Sequence, residues 1–188
     1  NAPVTETSYI DRQPNPMEGI PMPTQHEPRF ALYPSLADTS VVVTGGASGI
    51  GAAIVRAFAG QGSRIGFVDF DRDRGMALAS ELADTRARVC FEPCDLRDVD
   101  DLRRAFAAIA EAHGPVRVLV NNAARDDRHQ WRDVTPQYFD ERIATNLRHM
   151  FFAIQAVAPA MIAAGGGSII NLGSDSWWRA GGGFPAYT

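Results

Sequence analysis

A doubly wound α/β fold, a parallel sheet with helices on both faces, is what this 188-residue chain predicts, and three observations carry that expectation. From residue 36 onward, short apolar runs alternate with longer amphipathic stretches, the pattern of βαβ units. The first run leads into a glycine-rich loop, Thr44-Gly45-Gly46-Ala47-Ser48-Gly49-Ile50-Gly51, which opens a helix. The polar residues best suited to chemistry gather where the apolar runs end, and such sheets bind ligands at the carboxyl ends of their strands.

Taken in order, residues 1–35 hold seven of the twelve prolines and show neither helical nor alternating periodicity. They are expected to form an extended N-terminal arm, lying over the domain or a partner subunit, or else a disordered leader. The domain proper is expected over 36–188. Residues 41–43 read as a buried strand, and Ile50, Ile54 and Phe58 recur every four positions in the helix after the loop. Residues 65–68 form a second strand ending at Asp69, and Met76, Ala79 and Leu82 give the following helix an apolar face. Residues 87–91 are the third strand. Asp98 is placed as an N-cap, with Val99, Leu102, Phe106 and Ile109 at helical spacing up to the stop at Gly114-Pro115. Residues 116–120 make a fourth strand running into Asn121-Asn122. After a polar loop, one long helix carries Phe139, Ile143, Leu147, Phe151, Ile154 and Val157 and ends at Gly165-Gly166-Gly167. Residues 168–172 are the fifth strand, followed by a loop rich in glycine and tryptophan over 173–185.

Composition narrows the function classes. A net charge of −4 with scattered basic residues argues against nucleic acid as a partner. No stretch approaches the roughly 20 apolar residues of a membrane span, and the N-terminus lacks the pattern of a secretory signal, so a cytoplasmic location is expected. Cys90 and Cys94 are neither a CxxC pair nor half of a zinc site, and the four histidines show no HExxH spacing, so no metal is expected.

The spacing Gly45-x-x-x-Gly49-x-Gly51 between strand and helix suits a pyrophosphate, because glycine lets the backbone approach closely and the helix N-terminus offers unpaired N–H groups. Asp69, eighteen residues after Gly51 at the end of the second strand, is placed to accept hydrogen bonds from the adenosine ribose and to repel a 2′-phosphate, or else merely caps a helix. With no Arg or Lys inside the loop, the expected cofactor is NAD rather than NADP. Asp95 ends the third strand and can approach the adenine edge.

These residues resemble the classical short-chain dehydrogenases/reductases. The resemblance runs from about residue 38 to the end. It rests on the TGxxxGIG loop, Asn121-Asn122-Ala123, Asn146, and a Ser and Tyr thirteen apart at Ser174 and Tyr187. Ala124 stands where the family has glycine. The resemblance implies a Rossmann fold that here lacks the C-terminal part of its sheet, with NAD held by Gly45, Ser48, Gly49, Ile50, Gly51, Asp69, Asp95, Leu96, Asn122, Ala123 and Ala124. It implies Tyr187 as base, Ser174 bonded to the reacting oxygen and Asn146 in the proton relay. A phenol, ordinarily of pKa about 10, works as a base near neutral pH only if lowered by about three units, roughly 4 kcal/mol. In the family a lysine four residues later supplies this, at a position that would be 191; the chain is therefore expected to be cut after its catalytic tyrosine, whether as part of a longer protein, as a fragment or as a naturally short protein.

Within the family, residues 125–129, 140–143, 146–150 and 176–177 resemble bacterial NAD-dependent aldose dehydrogenases, which oxidise the anomeric carbon of a pentose such as D-xylose to a lactone. That likeness implies a sugar pocket containing Asp126, Asp127, His129 and Trp177, with the carboxylates bonding hydroxyls and the indole facing the ring. Asp126, Asp127 and His129 could equally form a solvated charged turn. A polyol, hydroxysteroid or hydroxyacyl substrate, or an NAD-binding protein without catalysis, stays open, and a homo-oligomer, dimer or tetramer, is expected from the family.

Overall fold

The apolar runs build one sheet. In the computed structural model, which describes residues 31–179 and 182–188, it has five parallel strands: β1 (Ser40–Thr44), β2 (Arg64–Asp69), β3 (Arg88–Pro93), β4 (Val118–Asn121) and β5 (Ser168–Asn171). Their order across the sheet is β3-β2-β1-β4-β5, so β1 is central, with Val42 in register with Gly66 on one side and Leu119 on the other. Between the strands run α1 (Gly49–Gly60), α2 (Arg72–Glu81), α3 (Val99–His113), α4 (Pro136–Ile143) and α5 (His149–Ala163).

Alternation along β1 divides the core in two. Val41 and Val43 pack with Val55 and Ala59 of α1 and Leu78 of α2, whereas Val42 packs with Leu102, Phe106 and Ile109 of α3 and Ala153, Val157 and Met161 of α5. A strand covered on both faces must be apolar throughout, which accounts for the valine run. Each buried Val, Leu, Ile, Phe or Met among them contributes on the order of 1.5–3 kcal/mol. The expected N-cap forms: the Asp98 carboxylate accepts hydrogen bonds from the N–H groups of Asp100 and Asp101.

Most of residues 1–35, the expected arm, lie outside the described residues. The part that is described, a 3-10 turn at Pro34–Leu36, is joined to the domain. The Tyr33 N–H donates to Gln61 Oε1 at 2.8 Å, and the Ser63 hydroxyl donates to Leu36 O at 2.7 Å.

Three helical faces meet expectation in part. In α1 Ile54 and Phe58 pack partly buried against the core as expected, but Gly51, Ala52, Val55 and Ala59 are the buried residues and Ile50 is exposed; in α2 Leu82 is buried and Ala79 packs against the core as expected, but Met76 is exposed and Leu78 is buried in its place. The expected long helix forms, but a π-helical turn over Ala144–Arg148 divides it into α4 and α5. That extra residue per turn rotates the two helices relative to one another. Of the expected face, Ile154 and Val157 pack against the core while Phe139, Ile143, Leu147 and Phe151 are exposed, and the sheet is met by His149, Ala153, Val157 and Met161. No helix among the described residues is long and apolar enough to cross a membrane.

Candidate active site

Where β1 ends, the chain enters α1 through a loop that fits only glycine. Gly45 has φ of +65°, and a Cβ there would lie 2.7 Å from Ala123 Cα; a Cβ on Gly51 would lie 1.9 Å from Gly45 O. The loop thus folds tightly on its own helix and on the end of β4. Asn122 holds it there, its Nδ2 donating to Thr44 O at 3.1 Å and Gly45 O at 3.0 Å, while Thr44 Oγ1 accepts the N–H groups of Asn122 and Ala123. Ser48 is the N-cap of α1, yet its side chain makes no capping hydrogen bond, leaving the opening N–H groups of the helix to an outside acceptor.

A cavity of about 560 Å³ lies over this loop, at the carboxyl ends of the strands. It is lined by Gly45, Ser48, Gly49, Ile50, Gly51, Asp69, Asp95, Leu96, Asn122, Ala123 and Ala124, together with Asp126 and Tyr187. Asp69 is buried, and its two oxygens accept the N–H groups of Ala47 and Asp71, both at 3.0 Å. Beside it Arg74 lines the same wall, 3.4 Å from the Asp71 carboxylate. Sequence reasoning missed this cation, which stands five residues beyond Asp69 on the first turn of α2. Asp95 is held well below the usual carboxylate range by hydrogen bonds from the Arg97 guanidinium. Burial pushes the Cys94 thiol, also on the wall, up to about 12, so it stays protonated.

The residues fit a dinucleotide. The close glycine turn and uncapped helix suit a pyrophosphate, and the fixed Asp69 carboxylate suits ribose hydroxyls. Among the described residues no group of three or more His, Cys, Asp and Glu side chains could hold a metal.

At the far end, Asn146 sits in the π turn, where its Oδ1 accepts the Arg125 N–H at 2.8 Å and its Nδ2 donates to Arg125 O at 3.0 Å. Arg125 and Thr145 line the cavity; Asn146 itself stands behind them. Ser174 follows the lining residue Gly173, and its Oγ accepts the Ser176 N–H at 3.2 Å, so its own O–H remains a donor. Asp127, His129 and Trp177 are outside the lining, and Trp177 is 69% exposed. Asp127 is instead engaged within the protein: Oδ1 lies 2.9 Å from Nη1 of the buried Arg142, an ion pair by distance rather than an in-line hydrogen bond, and Oδ2 accepts the Tyr138 hydroxyl at 3.0 Å. Burial alone would raise the Asp127 pKa, but the Tyr138 hydroxyl and the charges of Arg142 and Arg125 together lower it.

A family model described as short chain dehydrogenase matches residues 39–188. The chain is 50% identical over 147 residues to a D-xylose 1-dehydrogenase of Caulobacter vibrioides, covering 78% of this chain and 58% of that protein. It is 48% identical over 157 residues to a probable galactose dehydrogenase of Rhizobium meliloti, covering 83% and 61% respectively. A D-threitol dehydrogenase of Mycolicibacterium smegmatis is 38% identical over 135 residues, 72% of this chain and 52% of that protein. Among solved structures, a blue fluorescent protein from a metagenomic library, in complex with NADPH, superposes with a TM-score of 0.73 at 35% identity, covering 81% of this chain and 62% of that one. The chain thus spans about three fifths of the length of the first two of these relatives.

Proposed function

Since this chain belongs to the short-chain dehydrogenase family, we propose that it serves an NAD-dependent aldose 1-dehydrogenase, with a pentose such as D-xylose as substrate. The observation that carries this reading is that one cavity joins the glycine loop and Asp69 at one end to Tyr187 at the other. The likeness to xylose and galactose dehydrogenases supports the sugar.

In this reading Gly45, Ser48, Gly49, Ile50, Gly51, Asp69, Asp95, Leu96, Asn122, Ala123 and Ala124 hold the cofactor. When bound, the nicotinamide supplies the hydride acceptor, the anomeric carbon of the sugar losing hydride and leaving an aldonolactone. Tyr187 takes the proton of the reacting hydroxyl, and Ser174 donates its O–H to the same oxygen. Asn146, clamped at both ends of its amide to Arg125, keeps the loop after β4 at a fixed distance from the π turn. Asp126 faces the cavity and accepts from sugar hydroxyls. The exposed stripe Phe139, Ile143, Leu147 and Phe151 is proposed to be covered in a homo-oligomer.

Asp69 supports NAD, because a buried carboxylate repels a 2′-phosphate; Arg74 nearby favours the alternative, NADP. The test is NADH or NADPH formation by the whole protein with a panel of pentoses, hexoses, polyols and hydroxysteroids. Turnover of pentoses or hexoses with NAD is expected. Turnover confined to polyols, which the likeness to a D-threitol dehydrogenase makes the second reading, would reject the sugar. NAD binding with no turnover on any alcohol would reject catalysis.

A further inference from the structure

Both nitrogens of His129 are committed inside the protein, and their partners decide where its proton sits. The main-chain N–H of Ala186 points at Nε2 at 3.1 Å, and an N–H can only donate. Nε2 is therefore the acceptor and the neutral ring carries its hydrogen on Nδ1. Nδ1 lies 2.8 Å from Asp127 O and 2.9 Å from the Tyr138 hydroxyl oxygen. The Tyr138 proton is itself spent on Asp127 Oδ2, so the hydroxyl oxygen meets Nδ1–H as an acceptor. Beneath this chain lies Arg142, 3% exposed, paired with Asp127 and stacked 4.7 Å from the Tyr138 ring centre. The backbone adds to the contact: His129 N–H donates to Gly183 O at 2.7 Å, and the Arg128 guanidinium lies 4.1 Å over the Phe184 ring.

We propose that His129 is a positioning residue, which sets the main chain at Tyr187 by accepting the N–H of the residue before it, and which is itself set by Asp127, Tyr138 and Arg142. The inference rests on the reading of Tyr187 as the base. It replaces the expectation that Asp127 and His129 bind the sugar directly: neither stands on the cavity wall, and each has its polar atoms paired within the protein. The chain of contacts runs from α4, through the loop after β4, to the main chain just before the reacting residue. A base held through its own backbone keeps its distance to substrate only as well as that backbone is held, and displacements of about 1 Å can cost on the order of a hundredfold in rate.

The test uses the whole protein with whichever alcohol and cofactor it turns over. In His129→Gln the amide oxygen can take the place of Nε2, so kcat stays within about threefold. His129→Ala and the shorter His129→Asn lose between about tenfold and a hundredfold in kcat, with KM for cofactor and alcohol within about twofold. A rise in the alcohol KM at unchanged kcat, or a glutamine variant as impaired as the alanine one, overturns the proposal. A second measurement needs no turnover: nitrogen-15 NMR of the unsubstituted protein reads the tautomer. An Nδ1–H ring with a slowly exchanging Ala186 amide is expected, and an Nε2–H ring overturns the proposal even if the alanine variant fails to fold. Should no sugar be oxidised, the aldose reading falls while the tautomer still decides the role of His129.

Discussion

Asp69 serves the fold before it serves any ligand. Its oxygens satisfy two main-chain N–H groups, at Ala47 in the glycine loop and at Asp71 ahead of α2. Asp69→Ala leaves both without an acceptor, and a loss of about 1–3 kcal/mol is expected in urea unfolding. The same variant is expected to raise KM for NAD at least about tenfold while sparing NADP, because Arg74 remains on that wall; an unchanged NAD-to-NADP ratio would count against the ribose role. Gly51→Ala is expected to weaken NADH binding at least about tenfold in a fluorescence titration, since the new methyl would sit 1.9 Å from Gly45 O. These positions were legible because glycine loops and strand-end carboxylates recur at set spacings. The partners of His129 were not: Tyr138, backed by Arg142, and Ala186 reach it from two other segments, and nothing in the residue pattern links them.

Between α4 and α5 the π turn decides which side chains meet the sheet. Two stripes of period four run through this stretch, the apolar Phe139/Ile143/Leu147/Phe151 and, headed by a histidine, His149/Ala153/Val157/Met161. Because α5 is apolar almost all round, periodicity alone could not choose between them, and the added residue in the turn favoured the stripe with the histidine. That histidine is buried, 3.5 Å from Thr44 Oγ1, and burial lowers its pKa to about 4. An unfolded histidine titrates near 6.5, so between about 6.5 and 4 the unfolded chain takes up a proton that the folded chain refuses. Stability is full above that window and is lost as pH falls through it, by roughly 3 kcal/mol. Urea unfolding at pH 7 and pH 4.5 is expected to show a smaller drop in His149→Gln than in the unsubstituted protein; equal drops would mean that the ring protonates in place.

For the molecule as a whole, the unused stripe is a claim about assembly. Leu147 and Phe151 are 60% and 65% exposed on the face turned away from the core. Replacing both with Glu in the whole protein is expected to reduce the mass seen by light scattering to that of a smaller assembly, and an unchanged mass would place the oligomer contact elsewhere. The doubly wound sheet was readable from the alternation of elements, whereas the central place of β1 was not, because residues 41–43 and 118–120 are both continuous apolar runs. That centrality bears also on how the chain matures. The Asn122 amide that clamps the glycine loop comes from a residue 77 and 78 positions beyond its two acceptors. Contacts this distant form late, because a long loop must close before they stabilise anything. During synthesis, then, β1, α1 and β2 can assemble while the nucleotide loop still lacks its clamp, and competence to bind a cofactor arrives only with the fourth strand. Pulse-labelled hydrogen exchange on refolding would show this as protection at Gly45 and Gly46, whose N–H groups donate to Val68 O of β2, appearing before that of Asn122 and Ala123, whose N–H groups donate to Thr44 Oγ1.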